Sequence, residues 1–257
     1  MKSWQRFMAT NQPLLGSTIL VTRPEQQTQF LSEQLTMLGA RVLSMGVIDI
    51  MPIGAESWPE IAIEAQDMIV FVSRNAVLCF VSELTKSLPS TTRFVAVGAA
   101  TARCMTEQGL RVDVQAPAPA GSESLLALPE MQNVSGLQVL IVRGETGREL
   151  IADTLTERGA KIQYLEVYRR CLPSYTATKI AQAKSADIIV VMSVAGLENV
   201  CQILNDDLIK GKILIVVSER IRQFALELGF QCVAVTDDVS DTAVVHRVIE
   251  IGQNNGE

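Results

Sequence analysis

Histidine occurs once in the 257 residues, at His246, which argues against histidine-based triads and multi-histidine metal sites. Five cysteines (Cys79, Cys104, Cys171, Cys201, Cys232) are scattered without a CxxC pair. That spacing opposes a disulfide framework and a zinc site, suits a reducing compartment, and leaves the thiols as small core residues. No apolar run approaches the roughly 18 residues of a membrane span, so the chain reads as soluble, with no membrane partner. An excess of basic charge is also missing. With 22 Lys and Arg against 28 Asp and Glu, the net charge of −6 offers no field for nucleic acid. An anion must therefore be held by local groups, within a Debye length of roughly 8 Å. Phosphate loops are absent in both forms: GAATA (98–102) lacks the second and third glycines of a dinucleotide fingerprint, and RGETGRE (143–149) has no lysine followed by Ser or Thr.

The apolar fraction of 48% is ample for packed cores, and the length suits two domains of about 100 to 150 residues each. The stretch MKSWQRFMATNQPLLG has no continuous apolar segment, so residues 1–13 read as a polar leader rather than a signal peptide, and the cytoplasm is expected. His246 falls in an expected terminal helix over 242–251, as a solvated or packed residue.

Sliding the sequence against itself by 120 positions aligns nearly all of it. Leu20-Val21 meets Leu140-Ile141, Arg23 meets Arg143, Leu35-Thr36 meets Leu155-Thr156, Ser73 meets Ser193, and Gly109 meets Gly229. Duplication is the economical explanation. Each copy opens with an apolar strand (18–22; 139–142) and an amphipathic helix with the stripe Phe30, Leu31, Leu35, Leu38 or Leu150, Ile151, Leu155. Gly39 and Gly159 then suit the left-handed residue just past a helix end. Next come a strand (42–50; 162–168), a buried-looking strand (68–72; 188–192), a helix, a further strand (94–97; 213–217), a helix ending at Gly109 or Gly229, and a last strand. Strands alternating with helices imply parallel sheets covered on both faces, an α/β fold. APAPAGSESL (116–125) is the clearest composition break and reads as a surface loop or hinge.

Open parallel sheets bind ligands beyond the carboxyl ends of their strands. Those positions hold Thr22-Arg23, Ser73-Arg74-Asn75, Gly98 to Thr101, Arg143-Gly144, Ser193 and Ser218-Glu219-Arg220. Small and hydroxyl residues there leave helix N-terminal amides open to an anion, although Ser73, Ser193 and Thr101 could equally be helix caps. Arg143 could grip a carboxylate at two points, or form a surface salt bridge with Glu145 or Glu149.

Taken in order, VTRP (21–24), LGARV (38–42), VSRNAV (72–77), VGAATA (97–102), VRGETGREL (142–150), LTERGAKIQYLEVYRR (155–170), VSER (217–220) and LGF (228–230) resemble the uroporphyrinogen-III synthase family over about residues 17–250. The resemblance implies closure of the linear tetrapyrrole hydroxymethylbilane to uroporphyrinogen III, with inversion of ring D and loss of water. It implies no cofactor, no metal and a monomer acting on a small-molecule substrate. It also implies two Rossmann-like domains joined by a two-stranded linker, 14–48 with 174–257 forming one and 49–173 the other. Each is then assembled from halves of both copies. Tyr168 and Thr101 become the expected catalytic residues, with Tyr168 on the second crossing and facing an interdomain cleft. Arg23, Ser73, Gly98, Arg143, Gly144, Ser193 and Ser218 become expected substrate contacts. In the second copy Ile221 stands where Thr101 stands in the first, which weakens a second threonine role. The alternative is a non-catalytic binder or sensor of an anionic ligand on the same scaffold.

Overall fold

A computed structural model of the chain describes residues 12–24, 28–84 and 88–254. The described residues divide into two compact units: those up to Asp49 together with those from Leu172 onward, and Ile50–Cys171. The leader lies, but for Gln12 and Pro13, outside the described residues.

In the first unit, β1 (Thr18–Val21), β2 (Arg41–Ser44), β9 (Ile188–Val191), β10 (Ile213–Val216) and β11 (Cys232–Val235) form a sheet in the order β11-β10-β9-β1-β2. All of its neighbours pair in parallel. It carries α1 (Gln29–Met37), α6 (Ala177–Lys184), α7 (Val194–Leu204), α8 (Glu219–Glu227) and α9 (Asp241–Asn254). His246 is on the exposed side of α9.

The second unit contains β3 (Asp49–Pro52, its first residue shared with the other unit), β4 (Met68–Phe71), β5 (Arg93–Ala96), β6 (Val114–Gln115), β7 (Gln138–Gly144) and β8 (Lys161–Cys171), in the order β3-β8-β7-β4-β5-β6. Its helices are α2 (Arg74–Glu83), α3 (Ala99–Glu107), α4 (Ser122–Leu126) and α5 (Leu150–Glu157). The run Met68–Phe71 is apolar throughout because both faces of its sheet are covered. Ile69 and Phe71 join Leu140 and Val142 on the face under Val77, Phe80 and Met105. Met68 and Val70 join Val139 and Ile141 on the face under Leu125, Ile151 and Leu155. Matching residues 120 apart, β6-β5-β4-β7-β8 has the same strand order as β11-β10-β9-β1-β2.

Several expectations are corrected. The strand expected over 42–50 is two strands, β2 and β3, in different sheets, whereas its counterpart β8 is continuous. Between them the chain follows the end of β1 through Met45 N–H to Val21 and Val47 N–H to Thr22. Phe30 and Leu150 open their helices on the exposed side, while Leu31, Leu35, Leu38, Ile151 and Leu155 are buried. Of the cysteines only Cys79 and Cys104 are buried, and Cys232 is exposed because it starts a strand near the sheet rim.

Candidate functional site

At the carboxyl edge of the second unit's sheet, β7 and β8 lose register. Arg143 pairs with Glu166 but Gly144 with Tyr168, so Val167 is an extra residue on β8. This β-bulge breaks the two-residue alternation, and Val167 and Tyr168 are consecutively buried. The Tyr168 ring packs against Gly144, where a methyl group would come within 2.7 Å of Cε2. Glycine is therefore required by contact there. The Tyr168 hydroxyl reaches Ser73 Oγ at 3.3 Å. Ser73 in turn accepts from the Ala76 amide at 3.1 Å and caps α2, a bond worth about 1 kcal/mol.

Tyr168, Ser73, Arg143 and Gly144 line one cavity of about 190 Å³, together with Tyr164, Arg148, Arg170, Ser122 and Thr146. Three arginines line it, and two of them are paired with glutamates outside its wall, Arg143 with Glu149 and Arg148 with Glu123. Its apolar floor is Val72, Val97, Ile141 and Ile151. Hydroxyls, guanidinium groups and an apolar floor together suit an organic anion.

Arg143 forms the expected ion pair with Glu149, but from a buried position rather than the surface. Its side chain is 7% exposed, while its partner Glu149, at 2.9 Å, is 53% exposed. The guanidinium lies 4.8 Å from the centre of the Tyr164 ring, and its Nε donates to the Gly144 carbonyl. The Tyr164 hydroxyl donates to the other Glu149 oxygen. Hydrogen bonds from Tyr164, first, and from Arg143 hold the Glu149 carboxyl below the usual carboxylate range. Burial, first, and Glu149 beside it push the Tyr164 phenol up to about 12.

The remaining expected residues lie elsewhere. Thr101 is buried in the first turn of α3 and is not in the cavity wall, and Gly98 precedes α3, packed so that a methyl group would meet Ala120 at 2.8 Å. In the first unit, Ser193 and Ser218 cap α7 and α8 by accepting from Gly196 and Ile221 amides. Arg23 is paired with Asp241. Sequence reasoning passed over Tyr164, Arg148 and Arg170. Tyr164 is one of only three tyrosines and shares β8 with Tyr168, which was the available signal.

These features define an α/β protein with an arginine- and tyrosine-lined pocket at the carboxyl edge of a largely parallel sheet. The family model described as uroporphyrinogen-III synthase HemD matches residues 29–245. Uroporphyrinogen-III synthase of Escherichia coli (strain K12) is 32% identical over 244 residues, covering 89% of this chain and 98% of that one. The Salmonella typhimurium enzyme of the same name is 31% identical with the same coverage. The crystal structure of uroporphyrinogen-III synthetase from Helicobacter pylori shares the fold, with a TM-score of 0.66 at 14% identity over 91% of this chain and 99% of that one. The chain belongs to the uroporphyrinogen-III synthase family.

Proposed function

We propose that the chain closes hydroxymethylbilane to uroporphyrinogen III in haem biosynthesis, inverting ring D and releasing water without cofactor or metal. The observation that carries this is the cavity of the second unit, where a phenol, a serine hydroxyl and guanidinium groups meet over an apolar floor in a member of this family. The terminal pyrrole nitrogen supplies electrons as the C–O bond of the hydroxymethyl group breaks, and Tyr168 gives the departing oxygen its proton. Closure through a spiro intermediate then depends on holding the chain in a reactive fold. Ser73 orients the phenol. Arg143 receives a carboxylate, and Gly144 and Gly98 are assigned to substrate on the family resemblance.

Thr101 keeps its catalytic assignment through the family resemblance alone, as a buried residue in the first turn of α3. Arg23, Ser193 and Ser218 are assigned to substrate carboxylates on the family resemblance alone, since Ser193 and Ser218 cap α7 and α8 and Arg23 is paired with Asp241. We assign the chain two Rossmann-like domains, 14–48 with 174–257 and 49–173, derived from an internal duplication and joined by two strands. The repeat at 120 positions and the matching caps at Ser73 and Ser193 support this. A cytoplasmic monomer fits a small soluble substrate, and none of the helices among the described residues is long and apolar enough to cross a membrane.

The test is consumption of fresh hydroxymethylbilane. Catalytic amounts of protein should accelerate its conversion to cyclic product over many turnovers. Stoichiometric binding without turnover would favour the non-catalytic binder instead.

A further inference from the structure

Arg143 is fixed on several sides: its Nε meets the Gly144 carbonyl, its guanidinium stacks on Tyr164, and Gly147 lies so close that a methyl group there would stand 3.0 Å from Nη2. Glu149 is held differently. It is half-exposed, and although it occupies the N-cap position of α5 its side chain makes no capping bond. Its carboxylate reaches Arg143 and Tyr164, so leaving them would break no helix bond. The cavity wall itself contains Arg143, Arg148 and Arg170 but no acid. Arg148 likewise has an exposed glutamate, Glu123, at 3.1 Å.

A buried guanidinium needs a counter-charge, and one carboxylate can replace another on it with the neutralisation preserved. We infer that Glu149 competes with the carboxylates of the tetrapyrrole for Arg143 and thereby sets the affinity of this cavity for its substrate. This rests on the cavity being the tetrapyrrole site. Glu149 is a positioning residue that acts through Arg143: the Gly144 carbonyl and the Tyr164 ring hold the guanidinium, and Glu149 yields it to an incoming carboxylate. Because the exchange is like for like, discrimination falls on ligands that offer a carboxylate at that point, and neutral ester analogues cannot displace Glu149.

The experiment is equilibrium binding of uroporphyrin I, a polycarboxylate that cannot be turned over, to the full chain and its variants. Thermal melts are run in parallel. Glu149→Gln removes the competing charge and should tighten binding by about 2- to 5-fold, the range of a partly exposed ion pair. Tyr164→Phe loosens the hold on Glu149 and should tighten it by about 2-fold. A strut that merely shaped the pocket would move affinity in the opposite direction. Unchanged or weaker binding by Glu149→Gln overturns the proposal, as does failure of the unmodified protein to bind uroporphyrin I at millimolar concentration. If Glu149→Gln does not fold, Tyr164→Phe decides on the same criterion. Turnover of hydroxymethylbilane, measured separately, tests the underlying function, so either can fail without the other.

Discussion

Replacing Tyr168 by phenylalanine keeps the ring against Gly144 and removes only the hydroxyl 3.3 Å from Ser73. If the phenol is the general acid, Tyr168→Phe lowers turnover by roughly 10²- to 10⁴-fold. The bond to Ser73 is long, so stability should fall by no more than about 0.5–1.5 kcal/mol in urea unfolding. Near-normal turnover by the folded variant would reduce Tyr168 to a packing residue. Four residues earlier, Tyr164 gives a pH signature. Its phenol titrates at about 12 against the ordinary 10.0, so the folded state holds a proton that the unfolded chain has already lost in between. The associated stability is complete below pH 10 and disappears as pH rises through about 12. Glu149→Gln should bring this phenol's tyrosinate absorbance titration down only part of the way, because burial is the larger cause. Restoration of the ordinary value would contradict that ranking. Of the two tyrosines, Tyr168 could be singled out from the motif around it. Tyr164 could not, since its partners Arg143 and Glu149 meet it only once the strands pair.

The bulge between β7 and β8 aims Tyr168, and Gly144 permits it. Gly144→Ala must push the ring away or shift the strand, at about 1–3 kcal/mol by analogy with overpacked cores, and turnover should fall with it. A variant with unchanged stability and rate would show that the ring contact is dispensable. Helix ends were readable from the residues: Gly39 and Gly159 have φ of +95° and +86°, the left-handed values that favour glycine after a helix. Alanine at either should cost roughly 1–2 kcal/mol in chemical denaturation. The apolar strands were readable for the same local reason. The break at 45–48 was not, because what accommodates it comes from far along the chain. The Gly46 carbonyl accepts from Tyr175 and the Val47 carbonyl from Asn199, so an apolar run that looks like continuous strand leaves the sheet with its polar groups satisfied. The bulge is equally silent in sequence, since LEVY alternates no differently from a regular strand until Tyr168 turns out to be buried.

Over the whole molecule, the net charge of −6 coexists with a pocket lined by three arginines, two of them paired with glutamates, so composition could set the sign of the long-range field but not which groups line the site. Among the described residues no group of three or more His, Cys, Asp or Glu side chains is placed to hold a metal ion. Activity should therefore survive prolonged dialysis against a chelator, and loss restored by one particular metal would contradict this. The central claim, that this protein folds the tetrapyrrole for closure with inversion, is tested most directly by product identity. Fresh hydroxymethylbilane cyclises on its own to the type I isomer, so the ratio of type III to type I product, measured chromatographically with and without protein, separates the catalysed path from the spontaneous one. Type III should dominate with wild-type protein and give way to type I with Tyr168→Phe. Type I as the main product in the presence of folded wild-type protein would contradict it.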